Sequence, residues 1–515
     1  MIVLSTLNAR YIHASVGLRY LFANLGELQE QARIIELEVS QTAREIVEVL
    51  LSSNPTIVGF GVYIWNVERT TEVVALLKKI KPELIVVIGG PEVSFEYEQQ
   101  RIFELADYLI TGEADLAFAE LCRSLVRGEY PQGKVVAARL PELASLELPY
   151  QFYSADDIAN RVIYVEVSRG CPFTCEFCLS SLDIPVRQFD HERVLHELEL
   201  LYARGARTFK FVDRTFNLNI RTSASILQFF LDRMTPGLFV HFEMVPDRFP
   251  TQLRELVAQF PSGTLQLEIG VQSLNPETGR LISRRQDVPK LIDNLTYLRT
   301  QTAAHLHVDL IVGLPGEGIE SFARGFNAIV GCNPHEIQVG ILKKLRGTPI
   351  VRHVEQYDMR FSDYPPYEIL STNSVSFMEM QRMGRFARYW DLVANSGNFV
   401  ESRALLLGAG NDPFASFLSF SDWLFAKVGR RASISLKNLT ELVFVYLTEL
   451  VGMTQGVVGS ALVRDYLRGG RSDLPASLRE FRLEMEADGR RTACAAPSSG
   501  EATSIALKRQ RRVAS

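Results

Sequence analysis

Cysteine is scarce in this chain, six in 515 residues, and tryptophan scarcer still at three. So few thiols over such a length do not make a disulfide framework, so the fold has to rest on an apolar core, for which 47% of the residues are available. There is little excess of either charge: 55 Lys and Arg stand against 60 Asp and Glu, a formal net charge of −5. That balance gives no general electrostatic case for nucleic acid or a membrane surface. Long hydrophobic runs are missing too, and even ELVFVYLTELVG is broken by glutamates, so no membrane span is expected. The opening MIVLSTLNARYIH has no basic segment leading into an apolar stretch and reads as a strand, not a signal peptide. A cytoplasmic protein of about three domains is the expectation.

Against that scarcity, three of the six cysteines crowd into SRGCPFTCEFCLSS, as Cys171, Cys175 and Cys178. A turn-rich loop can aim three thiolates at one metal centre, and cysteine is the usual ligand of iron–sulfur clusters. Three ligands on a four-iron cubane leave one iron open to a reacting molecule, whereas an electron carrier would bring a fourth cysteine nearby. The next cysteine here, Cys332, lies far downstream. Zinc would want four ligands in paired short spacings, and His191 is a weak stand-in for the missing one. Cys122, Cys332 and Cys494 read as buried small hydrophobes.

The surrounding pattern is α/β. Residues 1–128 alternate β-branched runs (Ile2 to Leu4, Ala32 to Leu37, Ile57 to Val62, Leu84 to Ile88, Tyr108 to Ile110) with helical periodicity, which predicts a doubly wound parallel sheet. Ligands of such sheets sit beyond the carboxyl ends of the strands, where TLNARYIHASVG, GVYIWN, GGPEVS and TGEAD lie. Residues 129–160, broken by prolines 131, 141 and 149, read as a linker. Six further strand–helix units over 161–360 predict a partial (β/α)6 barrel, with the cysteine loop after its first strand. Residues 361–487 read as an all-α domain whose helices stop at glycines, and 488–515, with Lys508-Arg509-Gln510-Arg511-Arg512, as a disordered tail. Tyr389, Trp390 and Trp423 read as helix-face core aromatics.

The cysteine motif, with the aromatic Phe177 before its third cysteine, resembles that of the radical S-adenosylmethionine (SAM) enzymes. The resemblance implies a [4Fe-4S] cluster on the three cysteines, SAM on the open iron, and reductive cleavage of SAM to a 5′-deoxyadenosyl radical. It implies an external reductant as well, such as flavodoxin or ferredoxin. FVDRTFNLN, LEIGVQS and VDLIVGLPGE resemble barrel-strand signatures of that family. Phe177, Asp213, Glu243, Glu268, Gln272 and Gly313 are therefore the candidate SAM contacts, the carboxylates as acceptors for its hydroxyls and amino group. Arg214 is a candidate partner for a ligand carboxylate, and Glu317 is expected to cap the next helix.

Gly89-Gly90-Pro91, 28 residues after Gly61, resembles the spacing of cobalamin-binding domains. Asn8, Gly61, Tyr63, Trp65, Gly89, Gly90, Pro91 and Glu113 are the candidate cobalamin contacts that this implies. The motif that supplies a histidine below cobalt is incomplete: Tyr11-Ile12-His13 lacks the aspartate and Gly17 comes one residue late, so His13 reads as a loop or helix-start residue. Asp115 reads as a helix-start carboxylate. The whole chain thus resembles the cobalamin-binding branch of radical SAM enzymes, with a C-terminal helical domain of unknown function. The expectation is methylation of an unactivated carbon. Radical cyclisation or rearrangement without methyl transfer is the alternative, as is a non-catalytic cobalamin or redox sensor, or a first domain that holds no cobalamin. The substrate, a small molecule, lipid or peptide, and the oligomeric state are not legible.

Overall fold

The computed structural model describes residues 1–183, 185–408 and 412–482. The tail, Cys494 and the basic run at 508–512 lie outside the described residues. The chain begins with six parallel strands: β1 (Ile2–Asn8), β2 (Ala32–Glu38), β3 (Ile57–Gly61), β4 (Ile85–Gly89), β5 (Tyr108–Thr111) and β6 (Val135–Ala137). They lie in the order β2-β1-β3-β4-β5-β6. Helices cover both faces, so the inner strands are apolar runs, and β1 is buried along its whole length. The order reverses between β1 and β3, which opens a crevice at the carboxyl ends of those strands. The expectation of five strands falls one short. Val135–Ala137, within the stretch expected to be linker, pairs with β5, because three residues are too few to show a period amid the prolines.

The second sheet is also parallel, in the order β14-β13-β12-β11-β10-β7. Its strands are β7 (Ile163–Val165), β10 (Thr208–Phe211), β11 (Phe239–Met244), β12 (Leu265–Gln272), β13 (His305–Val312) and β14 (Glu336–Ile341). The edges β7 and β14 do not pair, so the sheet stays open on one side. A small antiparallel clip, β8 (Ser168–Arg169) with β9 (Arg187–Gln188), closes the base of the cysteine loop.

The helix Phe377–Trp390 starts at a capping box, Ser376 with Glu379, and runs on through a π-helical turn at Asp391–Asn395. Asn395 then exchanges two 3.0 Å hydrogen bonds with the backbone of Ile337, covering the edge of β14. Trp390 meets Phe326 edge-on at 4.8 Å and Tyr389 is fully buried. These aromatics join the C-terminal helices to one continuous core with the second sheet, while the first sheet has its own core on each face.

Candidate functional site

Both sheets present their carboxyl ends to the cysteine loop, and cavities lie on either side of it. The first, ≈510 Å³, runs between the end of the first sheet and the base of the loop. Gly61, Tyr63, Gly89, Gly90, Pro91 and Glu113 line it from one side, Arg169 and Gly170 from the other. Gly90 has φ +109°, and a Cβ there would stand 2.6 Å from the carbonyl oxygen of Val62, so only glycine fits this turn. Asn66, absent from the sequence reading, shapes the neighbouring turn. It is fully buried, its amide donates to Thr6, Leu7 and Gly61, and its oxygen accepts from Tyr63 N at 2.9 Å.

Two expected contacts stand elsewhere. Asn8 is not part of the lining; its amide donates to His13 O at 2.8 Å and Glu36 Oε1 at 3.0 Å, tying down the first loop. Trp65 stacks on Tyr63 at 4.4 Å but lies outside the lining and is half exposed, its indole donating to Leu7 O at 3.2 Å. His13 also lies outside, 2.7 Å from the Tyr164 hydroxyl of β7. Glu113 reaches the cavity with its oxygens already engaged, one by Arg169 at 2.7 Å and the other by Arg187. Asp115 pairs with Arg169 at 2.9 Å and does more than start a helix. Arg169, two residues before Cys171, therefore binds the first sheet's carboxylates to the cysteine loop, and Glu166 at 3.0 Å completes the network.

The second cavity, ≈240 Å³, contains Cys171, Cys175 and Cys178 together with Phe177, Glu243, Glu268 and Gln272. Burial raises the thiols of Cys171 and Cys175, and the charge of the neighbouring cysteines raises them further. Three mutually repelling thiolates call for a cationic centre, and the donor set fits a [4Fe-4S] cluster. Among the described residues no three metal-ligating side chains converge as one ion would need; on a cubane each thiolate takes its own iron. Arg284 sits 3.6 Å from Cys175 Sγ through one nitrogen and donates to Gly270 O through another.

Along the strand ends Glu268 lies 2.9 Å from His241 Nε2 and 3.3 Å from Lys210 Nζ. Burial alone would raise its carboxyl, but His241 and Lys210 outweigh that and hold it far below the usual range, so an ionised acceptor faces the cavity. His241 is pushed down to about 4 by burial and is neutral near pH 7. Gln272, in the cavity wall, sits just past a register shift in β12 with φ +69°, an unusual backbone for a residue other than glycine. Arg214 pairs with Glu243 at 2.7 Å.

Three other sequence expectations change. Asp213 lies outside this cavity, on the rim of the first one, accepting from Val167 N at 3.0 Å and from Ser168 Oγ; burial pushes it up to about 7. Gly313 lies outside both cavities, with φ +90° and a would-be Cβ 2.6 Å from Ile369, so it is a packing glycine under the C-terminal helices. Glu317 is buried and accepts from Ser273 Oγ at 2.7 Å and Ser321 Oγ at 3.2 Å; it links two elements and caps nothing.

The residue that fixes the loop was missed. Glu176, 1% exposed between Cys175 and Phe177, accepts from His353 Nε2 at 2.7 Å, Arg352 Nε at 2.6 Å and Ser283 Oγ at 2.7 Å. Its backbone N–H bonds Ile282 O, and its carbonyl accepts from Ile350 N at 2.9 Å. A Cys-flanking glutamate gave no period or motif to notice, and its partners lie over 100 residues away. Lys210 and His241 did carry a signal: TFKF and FVHFEM alternate apolar with polar, so one face of each strand points polar groups inward.

The glycine turn of the first cavity, with Tyr63 in its wall, fits a flat ring laid across strand ends, as the thiol set of the second fits a cluster. Comparison with known proteins agrees. The profile of the B12 binding domain matches residues 2–122, that of the radical SAM superfamily 165–327, and that of a protein of unknown function (DUF4080) 355–496. Among curated proteins, an uncharacterized methyltransferase of Pyrococcus horikoshii is 31% identical over 41% of this chain and 51% of its own length. The cobalamin-dependent radical SAM methyltransferase TokK of Streptomyces tokunonensis is 27% identical over 59% of this chain and 50% of its own. The chain spans about half the length of the curated relatives it matches. Among solved structures, the cobalamin-dependent SAM radical enzyme OxsB superposes with a TM-score of 0.60 at 15% identity, covering 99% of this chain and 83% of that one. The radical SAM methyltransferase TsrM of Kitasatospora setae gives 0.57 at 16%, over 71% and 82%. These last two likenesses concern the fold.

Proposed function

We propose that this chain, which belongs by its domains to the cobalamin-binding radical SAM enzymes, is a methyltransferase acting on an unactivated carbon, with a [4Fe-4S] cluster, SAM and cobalamin as cofactors. The observation that carries the reading is the adjacency of the two cavities: they flank one cysteine loop and share Arg214 in their walls. When bound, the cluster with SAM supplies a radical able to take hydrogen from such a carbon, and cobalamin supplies the methyl group.

The chain's own residues hold and orient. Cys171, Cys175 and Cys178 would take three irons and leave the fourth for SAM. Glu268 and the Gln272 oxygen would accept from SAM's hydroxyls and amino group. Arg214, already charge-matched by Glu243, would pair with a carboxylate of the ligand. Arg284 donates toward the Cys175 sulfur. The Arg169 and Arg187 pairs lock the first sheet to the loop, so the distance between the cavities is set by buried ion pairs and not by a free linker. A low-potential donor of the flavodoxin or ferredoxin kind would reduce the cluster.

The experiment incubates reconstituted protein, reductant and trideuteromethyl-SAM with metabolite extract from a strain lacking the gene. A product heavier by the three deuteriums supports methyl transfer. SAM cleavage with an unlabelled product would replace it by cyclisation or rearrangement.

A further inference from the structure

A third cavity, ≈810 Å³, opens along the unpaired side of the second sheet. Strands β13 and β14 form one wall, and the other comes from the helix Phe377–Trp390 with Arg431 behind it. Phe177, Gln272 and Asp309 line both this space and the cluster cavity, so the two meet at their inner ends. Gln338 stands in the middle of β14 yet is exposed, because it faces the gap that the helix leaves.

The two ends differ in chemistry. At the inner end Asp309 Oδ1 and Gln272 Oε1 are buried without a hydrogen-bond partner. The nearest donor to Asp309, His307 Nε2 at 3.1 Å, is off a hydrogen-bonding line. Buried acceptors of that kind call for N–H or O–H donors on whatever enters. At the outer end Arg431 is held by the Gln381 side chain at 2.6 Å and its carbonyl at 3.3 Å. A Cβ on Gly384 would come within 3.2 Å of the Arg431 guanidinium, so the helix is notched where the cation lies. Among the described residues neither Arg431 nor Lys343 has a carboxylate partner within ion-pair distance, whereas Arg388 is matched by Asp391 at 2.8 Å. Glu368, cross-strand from Lys343, offsets one of the two charges and leaves the rim net positive.

We propose that this cavity is the substrate chamber and that the substrate is an anionic amphiphile. A carboxylate or phosphate group sits between Arg431 and Lys343, an apolar body lies along Ile311, on the same strand face as Asp309, and Ala387 opposite it, and a donor-bearing end reaches Asp309 and Gln272 beside the cluster cavity. Recognition of the substrate's anion is thereby shared between the chain just past β14 and the loop that follows the helix Pro413–Val428. The position of the reacting end rests on the function proposed above; the anion site does not.

The test uses the reconstituted full chain and two fluorescent probes, the anionic 8-anilinonaphthalene-1-sulfonate and the uncharged N-phenyl-1-naphthylamine. The double variant Lys343→Gln/Arg431→Gln is expected to bind the anionic probe about tenfold more weakly, with the uncharged probe within about twofold. The charge-preserving Lys343→Arg/Arg431→Lys is expected to keep both. Filling the chamber by Gly384→Trp or Ala387→Phe, with melting checked, is expected to remove both probes. Octanoate and octyl phosphate are the competitors, and the one that displaces the anionic probe from wild type identifies the group. Anionic binding unchanged in the double or filled variants, an equal loss of both probes in the double variant, or displacement by neither competitor would overturn the proposal. Formation of 5′-deoxyadenosine is read separately in the same preparations. Its absence with the probe pattern intact would count against the radical reaction and leave the anion site standing.

Discussion

Glu176 offers the sharpest perturbation of the cysteine loop, because it touches no cavity wall and yet fixes the chain between two cysteines. Replacing it with alanine leaves His353, itself buried, and Ser283 without their acceptor. The charge-assisted bond to His353 is worth about 2 kcal/mol and the one to Ser283 about 1 kcal/mol. Arg352, with its side chain 60% exposed, returns to water and is counted at nothing. A loss of about 3 kcal/mol lowers the melting temperature of a unit as large as this continuous core by roughly 4–5 °C, at about 2 cal/mol/K of unfolding entropy per residue. Glu176→Gln keeps the Ser283 bond but not the charge, and is expected to lose about half as much. Burial works to raise the Glu176 carboxyl, but the Arg352, Ser283 and His353 bonds prevail and hold it below its ordinary 4.5. Its contribution is therefore present above the usual carboxylate range and fades as pH falls through the folded value, so wild type and Glu176→Ala converge in acid. The assays are thermal melting by circular dichroism and iron content after anaerobic reconstitution, where the alanine variant is expected to hold well under the about four irons of a cubane. A Glu176→Ala protein that melts with wild type and retains a full cluster would refute the anchoring argument.

Other outcomes follow from the same geometry. Gly90→Ala places a Cβ against Val62 O at a positive φ, and is expected to cost about 1–3 kcal/mol and to lower cobalamin retention, read by corrin absorbance after gel filtration. Arg169→Met leaves Asp115 and Glu166 buried and unpaired, with an expected loss of about 3–5 kcal/mol in melting and weaker cobalamin retention at wild-type iron content. Asp213 has its folded pKa raised to about 7 by burial, so its stabilising share is full below its ordinary 3.8 and is lost as pH rises toward 7. Asp213→Asn is thus expected to flatten the melting profile between pH 4 and 7, and an unchanged slope would contradict the burial argument. Glu268→Ala is expected to weaken SAM binding about tenfold by equilibrium dialysis with the cluster's spectrum unchanged.

What was legible in the chain tracks how local the signal is. The strand around Val87 announces itself as an apolar run, the one around Leu267 as an alternation of apolar with polar residues, and the Cys171–Cys178 spacing is a local motif. Gly90 was marked by its Gly-Gly-Pro setting, and the structure supplies the reason in the Val62 carbonyl. Contacts made across the sequence were not legible: Glu176 finds His353, Arg169 finds Asp115, and Tyr367 reaches Glu92 at 2.7 Å. Asp213 and Gly313 illustrate the converse, since each ends a strand as expected but faces a neighbour other than the cluster cavity. The third cavity exists only because the C-terminal helices pass over β14 with Gly384 and Ala387 facing it, which periodicity alone does not reveal.

The central claim is that the three cysteines hold a cluster with one iron open to SAM. The direct measurement is 5′-deoxyadenosine formed from SAM by the dithionite-reduced, reconstituted full chain, quantified by mass spectrometry beside Cys171→Ala, Cys175→Ala and Cys178→Ala. Multiple turnovers by wild type and none by any of the variants are predicted. A wild-type protein with its cluster intact that binds SAM and releases no 5′-deoxyadenosine would contradict the account.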